Sequence, residues 1–461
     1  MYLNFMDIVF IPFIVIAIFL RFFLIYKYKW TGKDSFYHFV CSEEFKNYRG
    51  IPKKIECFVF PEDYDYPPFL HFILSFFKRE YHQKLQYSSP VIDICSASLI
   101  FLFTMYFFNI NVAILAFTLY LITPSSLDSS FSLGPRSIGN FFLIFSILCF
   151  FIFLFYKLTL FLVFATFFFS LVLITHRLTT QSILIIYLAL AITYLSIYPF
   201  IIILFSTFFA ILITKGYYIK VLKGHFDFLI IFGKKILNSS SRKEMAQIFP
   251  NFKFVLFNFP FIIFIFIFFI YINNRNLVFF ISWGLGLIIL SILWIFGEGF
   301  RHMGNAIPPF SIIIAYWGFD QFPNFFFIFL LLCISTIFSI YKIYNMEKHP
   351  DMGNITTQDI IHGFTYIKEN SQKNDRILCL PLDFGYNAAY FTNGTILQSG
   401  GGFAKGLSLN QNLHKEINKG RILSQIKKYK IEWIIVMYSY KETYIPYKLV
   451  YTNDSLKIFR N

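Results

Sequence analysis

Phe5 to Tyr26 reads FMDIVFIPFIVIAIFLRFFLIY, and it is followed within a few residues by the polar stretch DSFYHF, which opens at Asp34. An apolar run of roughly 18 or more residues is what a hydrocarbon slab about 30 Å thick selects. This one is long enough to span and lacks the small-residue pattern of a cleaved leader, so it reads as a first transmembrane helix. Similar runs recur as far as Ile340. Of the 461 residues, 57% are hydrophobic and 14% charged, against about a quarter charged in soluble domains. No soluble core absorbs that excess.

The apolar segments fall near residues 5–26, 90–108, 110–123, 137–155, 158–175, 180–197, 198–214, 253–272, 277–296, 305–319 and 323–341. The expected fold is therefore a mainly α-helical polytopic membrane protein of about eleven transmembrane helices. An odd count puts the termini on opposite sides, with the N-terminus cytoplasmic and the tail extracytoplasmic at a plasma membrane. Residues 1–345 would form the membrane domain, including a first external loop at 27–89, and residues 346–461 a small C-terminal α/β domain. In the tail, RILCL (Arg376–Leu380) and WIIVM (Trp433–Met437) have the pattern of buried strands, and Thr357 to Asn370 has helical spacing. Sequons at Asn354, Asn393 and Asn453 suit an external face.

Two polar inserts interrupt the apolar pattern. The first, Lys27 to Ser89, holds a piece from Phe69 to Phe77 that is too short to span and suits a helix lying at the interface. The second, Lys215 to Lys253, carries eight Lys/Arg. The positive-inside rule puts it in the cytoplasm, whereas the helix count puts it outside.

The net charge of +15 is spread through loops and forms no basic domain, which argues for lipid head groups and lipid phosphates as partners and against nucleic acid. The six cysteines show no metal-ligand spacing, although Cys41 and Cys57 share a loop and would pair in an oxidising compartment.

Ionisable groups at membrane depth are costly and mark candidate sites. Asp34 and His38 stand four apart and share a face of any helix beginning there. Asp34 is read as a general base toward a hydroxyl, a ligand of a divalent metal, or a helix-capping aspartate. Further on, Glu62, Asp63 and Asp65 precede the Tyr66-Pro67-Pro68 turn, with His71 beyond it; they face a sugar or a metal, or form a solvated loop. Thr123 to Phe142 offers Asp128 and Arg136 between two spans, THRLTTQ offers His176 and Arg177, and GEGFRHMGNAIPP offers Glu298, Arg301 and His302. Arginine is the natural bidentate partner of phosphate, and it is also a common snorkelling anchor at helix ends.

With these pieces in order, the layout resembles the GT-C superfamily of polytopic glycosyltransferases, which includes the oligosaccharyltransferase catalytic subunits and the dolichyl-phosphate-mannose-protein mannosyltransferases. The resemblance rests on one helix followed by a large loop opening with Asp34 in DSFYHF, on the YPP turn, on PSSLDSSFSLGPRSIGNFF, and on the tail with its DRILCLPLDFGYNAAYFTNGTILQSGG stretch. It implies a polyprenyl-phosphate-linked sugar as donor and a glycan, lipid or protein as acceptor. Asp34, assisted by His38, would be catalytic; Arg136, His176, Arg177, Arg301 and His302 would hold the donor phosphate. Glu62, Asp63, Asp65 and Tyr66 would meet the acceptor or a divalent metal (Mg or Mn), for which Asp34 is the first candidate ligand. Two departures stand out. Asn140 occupies the place where oligosaccharyltransferases carry an acidic residue, and their W-W-D-Y-G signature is absent. Both favour transfer of a single sugar over transfer of an oligosaccharide to protein. The rival readings are a secondary transporter, for which no internal repeat is found, and a non-catalytic lipid-binding subunit.

Overall fold

The computed structural model describes residues 5–60, 63–237, 252–260, 274–292, 299–321, 325–348, 355–399, 404–418, 420–438, 440 and 445–461. In chain order the elements are α1 (Phe5–Tyr28), α2 (Lys33–Tyr48), β1 (Phe58–Phe60), α3 (Phe69–Leu74), α4 (His82–Leu85), α5 (Ser88–Phe107), α6 (Ile110–Ile122), α7 (Pro124–Ser130), α8 (Pro135–Tyr156), α9 (Thr159–Leu173), α10 (Arg177–Tyr194), α11 (Tyr198–Ile213), α12 (Tyr218–Leu237) and α13 (Phe252–Asn258). Then follow α14 (Arg275–Ile292), a 3-10 segment (Gly299–Ala306), α15 (Ile307–Tyr316), α16 (Phe325–Lys348), α17 (Gln358–Asn370), β2 (Arg376–Leu380), α18 (Gly385–Phe391), β3 (Thr395–Ser399), α19 (Ala404–Asn418), α20 (Ile422–Tyr429), β4 (Trp433–Met437), β5 (Lys448–Thr452) and β6 (Leu456–Arg460).

Among the described residues, five helices are long and apolar enough to cross a membrane, or six if α6 and α7 count as one span bent by 67°. Three shorter apolar helices, Thr159–Leu173, Tyr198–Ile213 and Asn276–Ser291, accompany them. The bend has a local cause. Pro124 lacks an N–H and crowds the turn before it, so α6 stops and Thr123 is extended, at φ −67° and ψ 127°. The expected segment at 253–272 lies largely outside the described residues.

A buried polar knot fastens the helices near the end of the bundle that carries both polar inserts. Arg21 and Asp93 are 0% and 2% exposed and pair at 2.7 Å. The Arg21 guanidinium also donates to the Ala17 carbonyl (3.0 Å), the Leu121 carbonyl (2.6 Å) and Ser126 Oγ (2.8 Å). Asp93 accepts further from Tyr120 Oη (2.8 Å) and Ser130 Oγ (2.9 Å). A buried ion pair holds only when its remaining lone pairs and protons are satisfied, and here α1, α5, α6 and α7 satisfy them together.

The six-stranded sheet has the order β1-β3-β2-β4-β6-β5, parallel from β1 to β4 and antiparallel through β6 and β5. Its edge strand β1 comes from the first polar insert, with Phe58 in register with Ile396. A single core joins Phe36, Phe39 and Phe45 of α2 to Phe364, Ile377, Trp433 and Ile458 of the tail. Trp30, Phe36, Tyr390 and Phe391 pack ring against ring across the same junction. The first insert and the tail are thus one packed unit.

The described part of the second insert lies on that same side. Tyr217 Oη donates to the Tyr64 carbonyl at 2.8 Å, and Lys220 approaches Asp63 at 3.9 Å. The two inserts therefore lie together at one end of the bundle. The positive-inside rule governs short loops, and this long insert brings a helix of its own. Cys41 and Cys57 are both free thiols, so no disulfide joins them.

Replacing Asp93 with Ala leaves Arg21 buried without its counter-charge, which costs about 3–5 kcal/mol. We expect a large fall in the unfolding midpoint of the purified protein in detergent. The double replacement Arg21→Leu with Asp93→Leu should recover most of that fall.

Candidate functional site

The site begins where α1 ends. Gly32, at φ 74°, lets the chain turn into α2 against the loop before α8; a Cβ there would lie 2.0 Å from Ser132 Cβ. Thr31 is buried and fixes the same corner: its N–H donates to Gln86 Oε1 at 2.8 Å and its hydroxyl to the Phe131 carbonyl. Asp34 lies in the first turn of α2, where the helix dipole favours negative charge. Gly32 is the cap residue and no side chain caps this helix, so the capping reading of Asp34 fails. The Asp34 side chain is exposed, and among the described residues its carboxylate has no hydrogen-bond or ion-pair partner.

His38 is one turn on and buried. Its Nδ1 meets His71 Nε2 at 2.8 Å, and His71 Nδ1 meets the Tyr64 hydroxyl in a short contact. Burial pushes His38 down to about 4, against the opposing pull of the Asp34 charge, and pushes His71 well below the usual imidazole range. Both rings are therefore neutral at pH 7.

Of the acidic candidates, Asp65 is joined to Arg177. The guanidinium donates to Asp65 Oδ1 at 3.2 Å and to the Asp65 carbonyl at 3.4 Å, and it lies over the Tyr66 and Phe228 rings. Two residues given separate tasks by the sequence, acceptor contact and phosphate contact, thus form one ion pair. Burial raises the Asp65 carboxyl to about 6, outweighing the lowering by Arg177. Asp63 points to Lys220, and Glu62 lies outside the described residues.

The basic candidates gather at the same end of the bundle. Arg136 is in the first turn of α8, and a Cβ on Gly304 would sit 2.6 Å from its Nη2, so these two segments touch. His176 caps α10, accepting from the Thr179 N–H, and its Nδ1 meets Thr179 Oγ1 at 2.7 Å. Thr179 in turn donates to Asn140 Oδ1 at 3.4 Å. His302 Nδ1 meets Ser182 Oγ at 2.9 Å, a turn deeper along α10. Arg301 falls in the 3-10 segment, and its side chain lies outside the described residues.

Three contributors were given no role by the sequence reading. Lys342, near the end of α16, pairs with Asp128 at 2.6 Å and donates to the Pro124 carbonyl and Asn258 Oδ1, both at 3.0 Å. It lies within electrostatic reach of Arg136. His71 and Tyr64 also went unassigned, although HF in the first insert repeats the HF of DSFYHF. Among the described residues, no three of His, Cys, Asp and Glu converge as a metal site.

The Asp65 shift has a sign that can be checked. A carboxyl whose folded value is raised from 3.8 to about 6 binds its proton more tightly when folded. Its contribution to stability is favourable at low pH and is lost as pH rises through about 6. Replacing Arg177 with Gln removes the lowering influence, so the protonated-carboxyl stretch of Asp65 should persist to higher pH. Infrared titration against Asp65→Asn as the blank reads this directly, and an unchanged midpoint would contradict the pairing.

No family model and no curated protein matches the chain. Solved structures do match it. ArnT from Cupriavidus metallidurans bound to undecaprenyl phosphate superposes with a TM-score of 0.62 at 9% identity, over 97% of each chain. The Archaeoglobus fulgidus oligosaccharyltransferase in complex with Zn and sulfate gives 0.59 at 12% identity, over 93% of this chain and 68% of that one. The same enzyme tethered to an acceptor peptide containing the NVT sequon gives 0.59 at 11%, over 94% and 69%. At these identities the likeness is one of fold: the chain shares the overall fold of ArnT and of the archaeal oligosaccharyltransferase.

Proposed function

We propose that the protein is an inverting glycosyltransferase that moves one sugar from a polyprenyl-phosphate-linked donor to an acceptor at the external membrane face. The observation that carries this reading is the unpaired, solvent-facing Asp34 carboxylate, held by the Gly32 corner beside the loop that leads to Arg136. The about eleven spans and the extracytoplasmic tail domain at 346–461 belong to the same reading. Residues 1–345 then bring the lipid to the site, and the tail closes it, as the Lys33–Asp383 pair at 3.0 Å suggests.

In the reaction, the acceptor oxygen attacks the anomeric carbon and the bond from that carbon to the phosphate oxygen breaks. The acceptor proton passes to the Asp34 carboxylate, and the electron pair leaves with the lipid phosphate. A single displacement inverts the anomeric centre. Arg136 and Lys342 stabilise the charge that develops on the leaving phosphate, and His176 and His302 line the same end. ArnT was crystallised with undecaprenyl phosphate, which supports a lipid phosphate as the leaving group.

The oligosaccharyltransferase was crystallised with Zn, but the residues described here do not form a matching ligand set. His38 and His71 are bonded to one another and Asp65 to Arg177.

One observation favours the rival of a non-catalytic lipid-binding subunit. Asn140, which stands where the resembling loop has an acid, bonds to Thr179 and brings no charge. Asp34→Asn separates the readings. General-base loss costs about 10²–10⁴-fold, so transfer from radiolabelled polyprenyl-phosphate monosaccharides should fall by that factor while lipid-phosphate binding persists. A variant as active as wild type would remove Asp34 from the mechanism, and a folded wild type that transfers from no donor would leave the subunit reading.

A further inference from the structure

We infer that His38 is a fixed hydrogen-bond donor and not a base: Tyr64 and His71 hold it as the Nε2–H tautomer, which presents that N–H to an oxygen of a lipid phosphate lying at the N-terminus of α8. This rests on the proposed function for the identity of the ligand, though not for the tautomer.

The polarity of the chain follows from its far end. A phenol is a better proton donor than a neutral imidazole, and an imidazole nitrogen is a better acceptor than a phenol oxygen. In the short Tyr64–His71 contact the hydroxyl therefore donates to His71 Nδ1. His71 then carries its proton on Nε2 and donates it across 2.8 Å to His38 Nδ1. That leaves His38 with its proton on Nε2. His71 is 0% exposed and His38 4% exposed, so water does not compete for these bonds. Phe45, Tyr37 and Tyr66 pack against the two imidazoles and hold their planes.

What Nε2–H faces is equally specific. Among the described residues nothing bonds to it. Its neighbour is Gly134, whose absent Cβ would lie 3.9 Å away. Gly134 caps α8, a 22-residue helix with Pro135 at its first position and Arg136 next. The first-turn N–H groups of such a helix, its dipole and an adjacent guanidinium all favour an anion. A neutral donor adds direction to this field without adding a charge that must be neutralised. His38 thus positions the ligand, and His71 and Tyr64 position His38.

Gly134 need not be glycine for its backbone. At φ −156° and ψ 164° it is extended, a conformation that any residue adopts. Its role is to leave room beside Nε2.

The test uses the full-length protein in nanodiscs, with two readouts that do not require turnover. First, ¹⁵N spectra of histidine-labelled protein, assigned with His38→Gln and His71→Gln, report the tautomer. A protonated Nε2 on His38 is expected, and a protonated Nδ1 overturns the proposal even if sugar transfer is normal. Second, binding is measured for undecaprenyl phosphate and for inorganic phosphate. His38→Gln keeps an N–H near the Nε2 position and should bind the lipid within about threefold of wild type. His38→Ala and Gly134→Leu should each weaken it about tenfold, which is 1.4 kcal/mol. Equal losses in the Gln and Ala variants, no loss in Gly134→Leu, or inorganic phosphate binding as tightly as the lipid would each overturn it. Unchanged melting of Gly134→Leu shows that its loss is not a folding defect. Wild type that binds the lipid and shows the Nε2–H tautomer but transfers no sugar would sink the glycosyltransferase reading and leave this one standing.

Discussion

The Arg21–Asp93 pair is the interaction on which the rest of the arrangement depends. Its guanidinium and carboxylate draw hydrogen bonds from four helices. Because an unsatisfied charge in hydrocarbon is far costlier than a satisfied one, α1, α5, α6 and α7 have little freedom to slide past one another. Two consequences follow at the end of the bundle nearest the knot. The exit of α1 delivers Thr31 and Gly32 to one place, and the exit of α7 delivers Phe131 and Ser132 to the same place. The Asp34 helix and the Arg136 helix start from that junction.

The five or six helices long and apolar enough to cross a membrane among the described residues were legible in the sequence because burial in a slab imposes a length and an apolar composition. Asp34 and Arg136 stood out as candidates for the related reason that an ionisable group at the end of an apolar run must be explained. What the sequence withheld was partner choice. Arg21 and Asp93 are 72 positions apart, and His38 and His71 are 33 apart; no local period reports such pairs. Arg21 sits inside the very segment that decides the fold, yet a single arginine in an apolar helix reads first as an anchor. β1 was missed because three residues, FVF, carry too little pattern to be distinguished from the loop around them. Only the parallel neighbour β3, more than 300 residues later, makes them a strand.

That long-range pairing also explains why the tail does not behave as an appendage. A sheet whose edge strand comes from residues 58–60 cannot form without the first insert. Conversely, α2 buries Phe36 and Phe39 against Tyr390 and Phe391, so the helix bearing Asp34 borrows its core from the tail. The helix that bears Asp34 and the tail therefore share one core.

The same accounting sorts the cations at the site by what an incoming phosphate would have to displace. Arg177 is 6% exposed, and its partner Asp65 is 16% exposed and pressed against Gly224, where a Cβ would meet Asp65 Oδ2 at 2.6 Å. Removing Asp65 from that pair leaves a buried carboxylate with nowhere to go, so Arg177 is best understood as a structural tie between the first insert and α10. Lys342 differs. Its side chain is 12% exposed, whereas that of its carboxylate partner, Asp128, is 41% exposed. Leaving a buried cation without its counter-charge costs about 3–5 kcal/mol, so under the proposed function Asp128 would leave Lys342 only as a phosphate took its place. Arg136 stands within electrostatic reach of that exchange. In that reading Asp128 would keep Lys342 neutralised until an anionic ligand replaced it.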